Sequence, residues 1–255
     1  MSQLQKKMSR TQRREGPHIG FGTVVRESPR AMLLAALVSD EAGGKRAFEA
    51  GADVVLLRAK DASAATPIVE KLAVDKATVG VWVNSLEEDA AKALAKAGCD
   101  FVVSTLEGTA SAAVDTERMG QIVMASDATS DTTLRALGPL GLDALFVERP
   151  AGAMTLAQQL DLVRIASFAS TTLVVTIDPS ATVSDLRVLR DSGAGVVVAP
   201  DGATVEQLKS LIESLIAVPA PHKGKAADGR EMAIVPSLGS HGHDEEEDDD
   251  DDDDE

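Results

Sequence analysis

One phrase recurs four times along the chain: a glycine, a small or apolar residue, usually an acid, and then an apolar run. It appears as Gly51-Ala52-Asp53-Val54-Val55, Gly98-Cys99-Asp100-Phe101-Val102, Gly141-Leu142-Asp143-Ala144-Leu145 and Gly193-Ala194-Gly195-Val196-Val197. The glycines lie 47, 43 and 52 residues apart, about twice the length of one strand-helix unit, so a further strand and helix must fit between each pair. Apolar runs at Met32 to Val38, Val79 to Val83, Gln121 to Ala125 and Leu173 to Ile177 supply the missing strands. Eight strands alternating with helices must run parallel, because each crossover takes a dozen or more residues. Their near-continuous apolar character suits a sheet covered on both faces. Recurrence of one phrase in every second unit favours closure into a ring, so the pattern predicts a single (β/α)8 barrel over residues 18–218.

The chain has 255 residues, enough for one domain of this kind. Its core must be built from Ala, Val, Leu and Ile, since only 2% of residues are aromatic and there is no Tyr. Helix starts are legible at Ser85-Leu86-Glu87-Glu88, read as a capping box opening a helix to Ala97, and at Thr182 to Asp185 and Thr204 to Gln207. Residues 1–17, a basic head with Lys6, Lys7, Arg10, Arg13 and Arg14, show no apolar periodicity and are expected to be disordered. His18 to Val25 alternates weakly and suits a short strand or a cap over the barrel bottom. Residues 219–243 read as a linker, with one apolar patch at Met232 to Val235 that suits docking on the barrel, and 244–255 as a disordered tail of 12 consecutive acids.

That tail dominates the net charge of -16; the rest of the chain holds 29 acidic against 25 basic residues. Such a run suits a basic protein partner, or the basic head of the same or a neighbouring chain. Nucleic-acid binding has only the short head behind it. No apolar run reaches the roughly 18 to 20 residues of a membrane span, and the amino end lacks the apolar segment of a secretion signal, which makes cytoplasmic residence the expectation. The lone Cys99 has no partner for an internal disulfide and is expected to pack as a small apolar residue. His18, His222, His241 and His243 all fall outside the strand-helix units, so histidine-based acid/base chemistry and transition-metal sites have no residues within the ring.

Barrels of this kind work at the carboxyl ends of their strands. Those ends carry Asp40, Arg58, Lys60, Asn84, Glu107, Asp127, Glu148, Arg149, Asp178 and Asp201. Asp40, Asp127 and Asp178 recur at matching positions after odd strands and suit oxygen ligation of magnesium; the same positions equally suit ordinary helix caps. Lys60 is placed where a Schiff base to a carbonyl substrate can form, with Arg58 on the substrate's charge. Glu148, Asp127 and Asp178 are the acid/base candidates, and of Glu148 and Arg149 one must face the mouth and the other the helices. Gly202, Ala203 and Thr204 after the eighth strand suit a phosphate held on backbone amides at a helix start, although Pro179 removes one such donor from the seventh loop.

From about residue 31 to 218 the sequence resembles the aldolase-type (β/α)8 superfamily (TIM barrels), in particular its phosphate-binding branch. The resemblance rests on Ala50-Gly51-Ala52-Asp53-Val54-Val55, Ala97-Gly98-Cys99-Asp100-Phe101-Val102 and Ser192-Gly193-Ala194-Gly195-Val196-Val197. It implies the fold and a binding site at the mouth. The Gly-Gly-His and Gly-Gly-Ile loops of the branch's flavin enzymes are absent, as is the catalytic pair of its isomerases, so no functional residue carries over. Two functions remain open at this point: a lyase or isomerase acting on a small carbonyl metabolite, phosphorylated or not, and a non-catalytic barrel that holds partners through its charged ends.

Overall fold

In an all-parallel ring each strand's side chains must alternate between a closed interior and a surrounding layer of helices, and two separate apolar cores result. The computed structural model describes residues 2–12, 30–74, 77–113 and 118–219. Strands β1 (Leu33–Val38), β2 (Val54–Arg58), β3 (Val79–Trp82), β4 (Phe101–Ser104), β5 (Gly120–Met124), β6 (Ala144–Val147), β7 (Leu173–Thr176) and β8 (Ala194–Ala199) form a closed parallel barrel in chain order. The (β/α)8 barrel is therefore the fold of this chain. Leu33, Ala35, Val54, Leu56, Trp82, Phe101, Ile122, Phe146, Val174 and Val196 fill the interior. Leu34, Ala36, Val55, Val81, Val102, Val123, Leu145, Val175 and Val197 face the helices. Large and small residues interlock inside, for a Cβ on Gly80 would lie 2.2 Å from the Phe101 ring.

The helices are α2 (Glu41–Glu49), α3 (Ala62–Leu72), α4 (Glu88–Lys96), α5 (Asp131–Leu137), α6 (Leu156–Ala169), α7 (Val183–Asp191) and α8 (Val205–Ala217), each following the strand before it. Among the described residues the β4–β5 connection carries no helix. The repeated glycines Gly51, Gly98, Gly141 and Gly193 have φ of 94°, 95°, 68° and 98°, the left-handed conformation that turns a helix end into the next strand without a Cβ penalty. Capping boxes form at Thr182 with Asp185 and at Thr204 with Gln207, as the sequence predicts.

The box expected at Ser85 does not form. Leu86 is buried and its backbone pairs with the 108–110 segment, through Leu86 N to Gly108 O at 2.9 Å and Ala110 N to Leu86 O at 3.0 Å. Residues 85–87 therefore stay extended, and α4 starts at Glu88 with Glu87 as a cap that makes no side-chain bond.

The head also departs from expectation, because Gln3–Gln12 is a helix, α1, lying under the barrel. Leu4 and Met8, four residues apart and so on one helix face, are 1% and 3% exposed and belong to the interior core. Three aspartates of the repeated phrase anchor it. Asp100 accepts from Gln3 N and Leu4 N at 2.7 and 2.8 Å, Asp143 accepts from the Ser2 hydroxyl, and the Asp53 carbonyl accepts from Lys7 Nζ at 2.7 Å. Ser2 in turn accepts from Gln5 N at 3.0 Å, so Ser2 and Gln5 are a helix-start signal the sequence did carry. The expectations placed on residues 18–25, on the linker and its 232–235 patch, and on the acidic tail fall outside the described residues.

Candidate functional site at the barrel mouth

Barrel interiors of this kind are packed cores, and here the upper layer is shut by aromatic side chains. The Trp82 and Phe146 rings meet at 4.7 Å between centroids with planes tilted 51°, and both are buried. Arg58 extends the inward row of Val54 and Leu56 and is exposed, its guanidinium carbon 4.3 Å from the centre of Trp82. That stacking is a cation–π contact, and Arg58 makes no ion pair among the described residues. Any ligand must bind above this floor.

Some of the strand-end acids are occupied by the turns they sit in. Asp40 caps α2, accepting from Gly43 N at 2.6 Å. Asp178 accepts from Ser180 N at 2.9 Å and Ser180 Oγ at 2.5 Å, and the Ser180 bonds hold its carboxyl below the usual range. Asp127 is exposed and takes part through its backbone carbonyl, which accepts from Arg164 at 2.9 Å. Asp40 and Asp178 line different cavities and Asp127 lines neither. Among the described residues no three of His, Cys, Asp and Glu gather into a group able to hold a metal. The magnesium site expected from Asp40, Asp127 and Asp178 is thus not assembled, because Asp40 and Asp178 serve their own turns beside different cavities and Asp127 lines neither.

The phosphate expectation meets the same obstacle. Gly202, Ala203 and Thr204 do line a cavity of about 600 Å³ between the β1 and β8 ends, with Gly202 in the left-handed region at φ 78°. Yet Thr204 N donates to Gln207 Oε1 at 2.9 Å and Ala203 N to Pro200 O at 3.3 Å. Glu206 accepts from its own backbone amide and from the Thr204 hydroxyl, which lowers its pKa. Asp40 and Asp201 face the same space and would repel a phosphate, with Arg46 opposing them. Lys60 is exposed beside Asp61, which caps α3 by accepting from Ala64 N at 2.9 Å, and Lys60 lines none of the three cavities at the strand ends.

A third cavity, about 580 Å³, opens over the ends of β4, β5 and β6. Glu107, Met124, Ser126, Glu148 and Arg149 line it. Its walls are set by local bonds: Thr105 Oγ1 donates to Asn84 O at 2.8 Å and accepts from Gly108 N at 3.0 Å, while Ser126 N donates to Thr129 Oγ1 at 3.0 Å. Glu148 follows the inward row of Ala144 and Phe146, and Arg149 follows the outward row of Leu145 and Val147. Glu107 and Glu148 are both exposed, and neither makes a hydrogen bond or ion pair among the described residues. Sequence reasoning placed Glu107 at a strand end without a role; only the folded loop puts it in one cavity with Glu148. Cys99, on the opposite face, donates to Phe101 O at 3.1 Å, and burial pushes its thiol up to about 12, which removes it as a nucleophile.

No protein-family model matches the chain, and no curated protein does. Solved structures match its fold. Tryptophan synthase from M. tuberculosis in a ligand-free form is 13% identical with a TM-score of 0.61, over 86% of this chain and 99% of that one. A mutant tryptophan synthase alpha-subunit from Pyrococcus furiosus is 12% identical at 0.58, over 72% and 98%. A protein from Aquifex aeolicus VF5 is 10% identical at 0.58, over 84% and 98%. The likeness is one of fold, and with the closed ring it bears out the resemblance to aldolase-type barrels at that level. Among the described residues no helix is long and apolar enough to cross a membrane.

Proposed function

We propose that this protein is a (β/α)8 enzyme of the lyase or isomerase type, acting on a small carbonyl-containing metabolite in the cavity over β4, β5 and β6. The observation that carries the reading is Glu148: an acid at a strand's carboxyl end, on an inward row, lining a cavity, and committed to no cap. Glu148 acts as the base that removes a proton beside the carbonyl, and Glu107, in the same cavity, returns one. Arg58 supplies positive charge at the mouth for the developing oxyanion. The reading assigns no phosphate to the substrate, since Ala203 N and Thr204 N are already bonded and Asp40 and Asp201 line the same cavity. Solved neighbours named tryptophan synthase support the reading by analogy of fold, and their reaction is not carried over.

The test is turnover across a panel of small aldehydes, ketones and keto acids. Glu148→Gln should cut kcat/KM at least about 100-fold, the usual scale for a positioned acid/base group, with the melting temperature unchanged. Full turnover in that variant would sink the reading. A second reading, a barrel that holds partners instead of converting substrate, is favoured by one observation. Leu156, Leu160 and Val163 form a stripe along α6 that is 71%, 61% and 38% exposed, and large apolar residues grouped on a surface mark contact faces. Leu160→Lys should abolish partner binding under that reading and leave turnover untouched under the first.

A further inference from the structure

We propose that the outer face of α6 pairs with the same face of a second copy of this chain, in a weak two-fold dimer. The helix is apolar on two sides. Leu162, Ile165 and Ala169 are buried against the barrel, while Leu156, Leu160 and Val163 are exposed on the other side. Spacings of four and then three residues set the exposed three in one stripe about two turns long. Half of the large apolar side chains exposed among the described residues lie on this stripe. Apolar residues scattered singly over a surface are ordinary, but grouped ones mark a contact. The outer face of α4 shows the contrast, since it exposes Glu88, Asp89, Lys92 and Lys96. A helix with apolar residues on both its inner and outer faces is suited to cover on both.

The charges around the stripe say what covers it. Arg164 is turned onto its own chain, donating to Asp131 Oδ1 at 2.7 Å, and Asp161 lies 3.9 Å from Arg164. Arg135 is stacked on Phe168, 4.6 Å from the ring centre. A charged partner therefore finds no handle here, whereas two identical neutral faces meet without repulsion. The stripe is also nearly symmetric about Leu160, with Leu156 four residues before it and Val163 three after. An antiparallel second copy, related by a two-fold axis beside Leu160, sets Leu160 against Leu160 and each Leu156 against the smaller Val163 of the other. Gln159 comes beside that axis and meets its own counterpart. Its side-chain amide is free of hydrogen bonds among the described residues and can both donate and accept, so like meets like. The area sets the strength: a helix of 14 residues is about 21 Å long, and one face of it falls well short of the roughly 800 Å² per partner of a standard interface. The dimer is accordingly reversible, with a Kd on the order of 100 μM. Because α6 lies outside the ring, pairing leaves the mouth open, and the inference stands whether or not the mouth is catalytic.

The test is sedimentation of the full-length chain from about 1 to 500 μM, a range that brackets the expected Kd. A monomer–dimer equilibrium should appear, and raising sodium chloride from about 0.1 to 0.5 M should strengthen it, because salt screens the repulsion between two chains of net charge -16 and leaves an apolar contact intact. Leu160→Lys sets two cations face to face at the axis and should leave only monomer at every concentration, with the melting temperature unchanged. Leu160→Cys should cross-link to itself under mild oxidation, while Ser184→Cys, exposed on α7, should not; the native Cys99 is buried and does not interfere. A chain that stays monomeric throughout overturns the proposal, as does a dimer that survives Leu160→Lys or one that salt dissolves, the last being the mark of a contact between opposite charges. Failure of Leu160→Cys to cross-link more than Ser184→Cys overturns the two-fold arrangement.

Discussion

The two ends of this barrel both carry acids and use them in opposite ways. At the bottom, Asp53, Asp100 and Asp143 of the repeated phrase reach across the chain: Asp53 pairs with Arg30 at 2.8 Å and accepts from Leu34 N at 2.9 Å, while Asp100 and Asp143 hold the start of α1. At the mouth, Asp40, Asp61 and Asp178 bond within three residues of themselves. Long-range bonds through the bottom acids tie separate units together, whereas the capping acids at the top take no part in such links. A carboxylate is free for ligand chemistry only where neither use claims it, which leaves Glu107, Asp127, Glu148 and Asp201, and of these Glu107 and Glu148 share one cavity.

The comparison can be broken most directly from below. Replacing both Leu4 and Met8 by Ala should cost about 4 kcal/mol or more, on the scale of large-to-small changes in a packed interior, and chemical denaturation measures it. An intact midpoint would mean that α1 is dispensable to the barrel. Next in size is Glu148→Gln, whose 100-fold loss of kcat/KM corresponds to about 2.7 kcal/mol of transition-state stabilisation without any change in fold stability. Asp100→Ala removes the acceptor for two amides of α1 and should cost about 1 to 2 kcal/mol, while Thr204→Ala at the mouth should cost about 1 kcal/mol as the loss of one cap. Comparing these two sharpens the contrast, since the Asp100 loss should be abolished in a chain lacking residues 1–12 and the Thr204 loss should not.

The smallest effect is in pH dependence. Burial raises the pKa of Asp143, opposed by the Ser2 hydroxyl and assisted by the charge of Asp100. The folded state therefore holds this proton to higher pH than the unfolded chain does. Stability from this group is complete below the unfolded carboxylate value and declines as pH rises through the folded one. Denaturation midpoints should fall over that window just above the ordinary carboxylate range, and Asp143→Asn should flatten the slope. A wild-type slope of the opposite sign would show that the Ser2 bond outweighs burial.

Several of these features were open to local reading. The strands were found within a residue or two, because an apolar run bounded by a glycine and a polar turn needs no partner to be recognised. Thr182 and Thr204 were legible as caps for the same reason, as both bonds of a capping box close within four residues. Ser85 shows the same local signal and fails, because Leu86 is drawn into the core and its backbone pairs with residues 108–110. The head departs in the reverse sense, for its apolar face is only Leu4 and Met8, too little to hold a helix alone and enough when the barrel bottom receives it.

By itself, then, the sequence determined the ring, its strand order and the glycines that turn each helix into the next strand, since these follow from period, spacing and backbone freedom within one unit. It also set which residues stand at the mouth. Only the tertiary structure decided which of them are available. Asp178 and Glu148 both stand just past the ends of their strands, and what separates them is whether a neighbouring amide or hydroxyl lies within hydrogen-bond reach. That depends on how the loop folds back, a matter of three-dimensional approach that linear spacing does not encode.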